Sequence, residues 1–445
     1  MTIYLIVFIL VSSIFFMTII FTKNKEINYL VLIFNLLWII IALVSYPYLI
    51  NKNIVYIQYI QSYILFFMIS MNIGFLFFMP SSKNYKGNRT VVSDKINYGN
   101  FWFILIVVFI LLSFFFRRVL THVLNGDLTL IRRMIYTETV GTENSLFNSG
   151  IETIFIQWFA NSLILALFII LISFYMIGLK NNKLLIFLFL IGIYYAFLTG
   201  GRMMLFRFAI IIIGAILLLK MKDIKYIVND TYHRTIRNRK KKLRNIIVLI
   251  FFMGVVFTVM RSDNNFSITD NQIIIEMLNY FRLPIVYFTT LIENSNFNSG
   301  FLYGGGFVGG LFLPIELIWK NFSENIIDLP PRIIIDELEP FQYIGEGLIF
   351  NALPTMLYVF YRDGGVIGII INSLIFSLYL SIAYRNYLSK KNIRSISLYI
   401  LAFYVMVMGI IRWEPALIQY WLTLFFIILF TNSKFLKKGK TNIPS

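Results

Sequence analysis

Eleven apolar runs, most of about 16 to 25 residues, recur along this chain from end to end, and their length limits what it can fold into. Coiled into a helix, a run of that length matches the ~30 Å hydrocarbon core of a bilayer. Inside a bilayer only helices or closed barrels satisfy every backbone N–H and C=O. The short alternating strands of a barrel are absent, so the reading is an all-α polytopic membrane protein with about 11 transmembrane helices. The runs lie at 3–21, 27–46, 54–79, 101–116, 154–179, 184–198, 203–219, 246–260, 366–384, 396–411 and 415–431. Composition agrees, since 59% of residues are apolar and only 13% charged, against roughly 45–50% and 25% in soluble domains.

Basic residues sort onto alternate short loops: Lys23 and Lys25, then Lys83 to Lys95, Lys180 and Lys183, the dense stretch 220–244, Arg385 to Arg394, and the Lys-rich tail. By the positive-inside rule these face the cytoplasm, which puts the N-terminus and the long segment 261–365 outside and the C-terminus inside. On that topology the cytoplasmic side holds 26 Lys and Arg against 4 acids, and the outer side 13 against 17. The formal net charge of +18 is then explained by topology and anionic membrane lipid. No nucleic acid partner is expected, because the stretch from Lys220 to Lys242 lacks interleaved aromatics.

The same reading divides the chain into four parts. Residues 1–260 carry the first eight spans and a basic cytoplasmic loop at 220–245. An extracytoplasmic segment with interfacial helices follows at 261–365, then three spans at 366–431 and a basic cytoplasmic tail at 432–445. No basic n-region or small-residue cleavage site marks the N-terminus, so the first run is read as a retained span. With no cysteine, disulfides, thiol catalysis and cysteine-ligated metal centres are excluded.

Within the basic residues there is a second asymmetry. On this topology 19 of 21 lysines are cytoplasmic, whereas 11 of 18 arginines lie outside or at the outer boundary. Guanidinium groups recognise phosphate and carboxylate bidentately and stay charged when partly desolvated, so the outer face reads as built to hold an anion. Arg207 stands five residues into a span, where a charge costs a few kcal/mol and marks a functional interior. Helix 270–292, capped by Thr269–Asp270, is expected in the membrane interface with a polar stripe of Glu276, Asn279, Tyr280 and Arg282.

Several other features read as supporting structure. The Gly-rich Gly304–Gly310 lacks the Gly-Lys-Ser/Thr ending of a phosphate loop and reads as a flexible turn. Residues 117–153 read as an outer loop with a weak helical pattern, in which the lone His122 suits a surface position better than a base. The acids around Asp336, Glu337 and Glu339 read mostly as solvated surface. Asp363, separated by two residues from the span that starts at 366, reads as a helix cap, with Arg362 as the functional neighbour.

Two stretches carry a resemblance. Thr199-Gly200-Gly201-Arg202 opens one span, and Asn351-x-x-x-Thr355 leads through Tyr361-Arg362-Asp363-Gly364-Gly365 to Gly368 at another. Both resemble motifs of Wzy-type oligosaccharide repeat-unit polymerases, the O-antigen polymerase family. There the first motif is small-small-Arg, and the second is Asp-Phe-Gly with a further Gly three or four residues on. Gly364 stands here in place of the Phe, and segment 261–365 has no His, unlike the related O-antigen ligases. The number of spans and the single large outer segment resemble the family over nearly the whole chain.

The resemblance implies a glycosyltransferase of the bacterial cytoplasmic membrane. It would move a growing glycan from undecaprenyl diphosphate to a sugar hydroxyl of the next lipid-linked repeat unit, building O-antigen, capsule or exopolysaccharide. No cofactor or metal is expected, and a chain-length regulator and a flippase are possible partners. Arg202, Arg207, Arg261, Arg282, Arg362 and Arg412 are the implied binders of diphosphate and sugar anions. Glu276, Asp263, Glu346, Asp363 and Glu414 are the candidate bases. Tyr280, Tyr343, Tyr361 and Trp413 offer rings to sugar faces. A lipid-linked oligosaccharide flippase or other secondary transporter, and an O-antigen ligase-like transferase, are the alternatives.

Overall fold

The computed structural model describes residues 2–24, 29–49, 54–80, 96–136, 145–177, 179, 181–220, 232–259, 270–294, 300–322, 329–338, 342–345, 348–350, 354–390 and 392–436. Arg261, Asp263 and Glu346 lie outside the described residues. In chain order the first helices are α1 (Thr2–Asn24), α2 (Tyr29–Leu49), α3 (Ile54–Phe78), α4 (Tyr98–Leu124), α5 (Leu128–Tyr136) and α6 (Gly150–Thr153). A π-helical stretch, Ile154–Ala160, joins α6 to α7 (Asn161–Ile177), followed by α8 (Asn182–Thr199), α9 (Met203–Lys220), α10 (Tyr232–Val259) and α11 (Asp270–Asn294). After them come α12 (Leu313–Phe322), α13 (Pro330–Leu338), α14 (Met356–Lys390), α15 (Ile393–Met408), α16 (Ile418–Phe430) and α17 (Ser433–Leu436).

Each apolar run of the sequence is helical over most of its described residues. Five helical stretches among the described residues are long and apolar enough to cross a membrane: Tyr56–Phe78, Tyr98–Leu124, Gly150–Ile177, Asn182–Thr199 and Met356–Lys390. Five shorter apolar helices accompany them. The paired strands among the described residues form an antiparallel hairpin, β1 (Gln342–Gly345) with β2 (Leu348–Phe350).

Two local expectations are corrected, and two elements are refined. Residues 117–124, read as loop, continue α4, since nothing between Asn100 and Asn125 breaks a helix. The basic loop is helical from Tyr232 onward, because Lys and Arg are good helix formers and neither Gly nor Pro intervenes before Gly254. On α11, Leu283 to Thr290 are buried on every side, so this half is packed within the protein. Finally, a helical stretch from Met356 to Asp363 precedes the expected span 366–384, separated from it by non-helical Gly364–Gly365.

The chain forms two compact units, each discontinuous in sequence. The first comprises Met1–Gly87, Ile274–Ser389 and Ala402–Trp421. Its α1, α2 and α3 pack together, and Asn35 and Asn72 exchange reciprocal side-chain hydrogen bonds of 2.9 Å between α2 and α3. Such a buried amide pair contributes about 0.6–2 kcal/mol in a membrane bundle. The second unit comprises Asn88–Ile273, Lys390–Leu401 and Leu422–Ser445. In it α7 packs on α8 and α9, and α9 on α10.

Candidate functional site

In the first unit, polar groups gather where α14 is interrupted. Thr355 caps this helix: its Oγ1 accepts the Leu357 N–H at 2.9 Å, and the Met356 N–H donates to the Gly409 carbonyl at 2.7 Å. The helix then runs to Asp363 and breaks at Gly364–Gly365, where Gly365 has φ +61°, a conformation open to glycine. A break leaves carbonyls without helical partners. Those of Arg362 and Asp363 accept the Leu302 and Tyr303 N–H groups at 2.9 and 3.1 Å.

Arg362 is fully buried at 0% exposure. Its Nε donates to Glu337 Oε2 at 2.8 Å, its Nη2 to Glu337 Oε1, and its Nη1 to the Gly300 carbonyl at 2.7 Å. Glu337 also accepts from the Tyr358 hydroxyl. This bidentate pair fastens α13 to α14. Removing Glu337 from such a pair costs about 3–5 kcal/mol, because Arg362 is left buried and unmatched.

Asp363 points to the Gly-rich turn. Its Oδ1 accepts the Gly306 N–H at 2.8 Å, and its Oδ2 accepts the Phe307 N–H at 2.9 Å and Asn372 Nδ2 at 2.8 Å. It therefore does not cap the helix that follows it; the expected cap is corrected because two consecutive amides of the turn are better placed. Those amides form an anion-binding nest, filled by the protein's own carboxylate. The turn is accordingly packed and not loose: a Cβ on Gly306 would lie 2.9 Å from Asp363 Oδ1, and one on Gly310 would collide with the Leu417 backbone.

The turn between α15 and α16 meets the same place. Trp413 Nε1 donates to the Phe307 carbonyl at 2.7 Å, and its ring lies 4.9–5.0 Å from those of Phe307, Phe360 and Phe376. Beside it, Arg412 Nε donates to the buried Glu414 Oε1 at 2.9 Å. Tyr361 packs 5.2 Å from Tyr63 and 6.0 Å from Phe288. Three non-helical segments thus bring Arg362, Asp363, Arg412, Trp413 and Glu414 together. Arg282, on α11 of this unit, donates from Nε to Asn279 Oδ1 at 2.5 Å, as their spacing of three predicts. Glu276 and Tyr280 also lie on α11, and Tyr343 on β1.

The second unit holds Arg202 and Arg207. Gly200 ends α8 at φ +59°, and a Cβ there would lie 2.6 Å from the Leu128 carbonyl, so the Thr199–Arg202 turn presses closely on α5. Arg202 opens α9, half-buried; its carbonyl accepts the Phe206 N–H. Arg207 is buried within α9 at 3% exposure, and its Nη1 donates to Asn161 Oδ1 at 2.7 Å. His122 sits half-buried in the last turn of α4. Arg118 closes a bidentate pair with Glu152 at 2.8 and 3.1 Å and lies over the Phe114 and Phe115 rings.

Sequence reasoning missed Glu337, Asn372 and Asn161. Glu337 stood among acids that read as surface, whereas Asn161 was visible as a polar residue inside an apolar run. Among the described residues no group of three or more His, Cys, Asp or Glu side chains gathers to hold a metal ion.

Long apolar helices with buried, internally matched charges define a membrane-embedded α-helical protein. Compared with protein-family models, curated proteins and solved structures, the chain finds no match.

Proposed function

We propose that this chain is a membrane glycosyltransferase that polymerises undecaprenyl-diphosphate-linked repeat units into a surface polysaccharide. In this proposal it crosses the bacterial cytoplasmic membrane about eleven times, with the N-terminus outside and the C-terminus in the cytoplasm. The acceptor hydroxyl attacks the anomeric carbon of the donor glycan, and the bond from that carbon to the diphosphate breaks. The diphosphate leaves with the bonding pair, and a carboxylate takes the hydroxyl proton. Such a reaction needs cations for the leaving group, a base, and rings for sugar faces, all in a place poor in water.

One observation carries the reading. The interruption of α14 gathers arginines, carboxylates and an indole ring at the end of an apolar stretch, residues 366–384, that is itself about 28 Å long at ~1.5 Å per residue. That is sufficient to cross the ~30 Å hydrocarbon core, so the break belongs at a membrane boundary, where a lipid-anchored diphosphate would sit. Arg282 and Arg412 in the first unit, and separately Arg202, Arg207 and Arg261 in the second, are assigned as binders of diphosphate and sugar anions, while Arg362 supports the wall through Glu337. Because three donors hold both oxygens of Asp363, the base is assigned among Glu414, Glu276, Asp263 and Glu346.

A broken helix also favours a second reading, a transporter for the lipid-linked unit, since secondary transporters build their sites on discontinuous helices. Those sites lie near the midplane, whereas this break lies at one end of a span. The deciding experiment deletes the chain from its host and asks where lipid-linked repeat units collect. Single units reachable from outside by an impermeant sugar-oxidising label fit the polymerase. Units protected from that label would overturn it in favour of transport. Orientation is checked by placing single cysteines at 241 and 299 of the cysteine-free chain; an impermeant thiol reagent should reach only residue 299.

A further inference from the structure

We infer that Asn161 is a positioning residue for Arg207, and that the π-helical register of Ile154–Ala160 exists to deliver it. For the role of Arg207 the inference rests on the polymerase reading above. Nothing local explains the register: residues 151–177 contain neither Gly nor Pro and would make an unbroken α-helix. A π-helix is the rarer form and recurs at functional sites. Two buried hydroxyls bond carbonyls of the stretch, and a third bonds that of Ser162 just beyond it. Tyr195 donates to the Ile156 carbonyl at 3.1 Å, Ser162 to that of Trp158 at 2.5 Å, and Thr423 to that of Ser162 at 3.3 Å.

The consequence is geometric. One extra residue in a helical turn rotates everything after it by about 100°. Asn161, the first residue beyond the stretch, arrives with its Oδ1 2.7 Å from Arg207 Nη1. The choice of side chain matters as well. A carboxamide oxygen orients a guanidinium without adding charge, whereas in the same unit Glu152 closes Arg118 with both carboxylate oxygens. A carboxylate at 161 would compete with an anionic ligand for the same donors.

The test uses the full chain in liposomes with its lipid-linked repeat unit, measuring kcat and KM for polymer formation alongside the thermal midpoint. Asn161→Ala should lower kcat/KM about 10- to 100-fold, the scale expected of a small misplacement of a charged group. Asn161→Asp, of the same shape, should stay low. The decisive comparison is a double-mutant cycle: in an Arg207→Ala background, Asn161→Ala should change nothing further. Independent, multiplying losses would overturn the inference and leave the polymerase reading intact. If Arg207→Ala alone leaves the rate unchanged, the assigned role of Arg207 falls and this inference with it. Should Asn161→Ala fail to accumulate, Tyr195→Phe removes a single hydroxyl from the π stretch and carries the same cycle.

Discussion

The two units depart from α-helical geometry in opposite ways, and each departure serves an arginine. In the first, two glycines break α14, and the buried Arg362 is closed by both oxygens of Glu337. In the second, no glycine is used; hydroxyls widen the helix before α7, and the buried Arg207 meets the neutral amide of Asn161. A carboxylate-closed arginine spends its donors within the protein and fixes architecture. One oriented by an amide gains direction without losing charge. The comparison teaches that burial alone does not mark a ligand-binding cation, because the partner's charge decides what the arginine can do next.

The largest effect expected from this contrast is on stability. Arg362→Ala takes the bidentate partner from the part-buried Glu337, whose side chain is 23% exposed and still accepts from Tyr358, and should cost about 3 kcal/mol, the low end for such pairs. Its measure is the thermal or denaturant midpoint of the detergent-solubilised chain. Restoring much of that loss by adding Glu337→Gln would show that the stranded charge is the cause. Arg207→Ala should instead cost more in polymer formation than in stability. Equal destabilisation by the two substitutions would erase the distinction drawn between the units.

Asp363→Asn comes next, and here the structure reverses what the sequence suggests. As a helix cap, Asp363 would tolerate Asn, since either side chain can cap. In place, its two oxygens face three donors, so an amide must turn its NH2 group toward at least one N–H. Stranding buried donors this way costs about 1–3 kcal/mol, and Asp363→Asn should lower the midpoint accordingly. An unchanged midpoint would return Asp363 to a capping role. Reading the sequence located the helices because their apolar runs are set by local composition, and it placed the start of the span at 366, directly after the Gly364–Gly365 break. It could not place Glu337, which stands 25 residues before Arg362 with no periodic relation to it. Nor could it see the π stretch, since the hydroxyls that bond in it and just beyond it come from α7, α8 and α16, brought together only by folding.

The smallest predicted effects differ in sign between the units, which makes them a sensitive probe of the comparison. Gly365 has φ +61°, and a Cβ there would meet only Phe301 at an ordinary 3.5 Å. The cost of Gly365→Ala is therefore conformational and not a clash, about 1–2 kcal/mol for forcing an L-residue into that region. Gly150 opens the helix that leads into the π stretch; it has no positive φ, and a methyl group added there would meet nothing within 4 Å. Gly150→Ala should stabilise by roughly 0.5 kcal/mol, because alanine loses less freedom on folding. Midpoints moving down for the first and up for the second would mean that one unit needs its glycine to break a helix, while the other departs from α-helical form entirely through side chains. Two shifts of the same sign would mean that the π stretch depends on a backbone freedom that its hydroxyl partners do not supply.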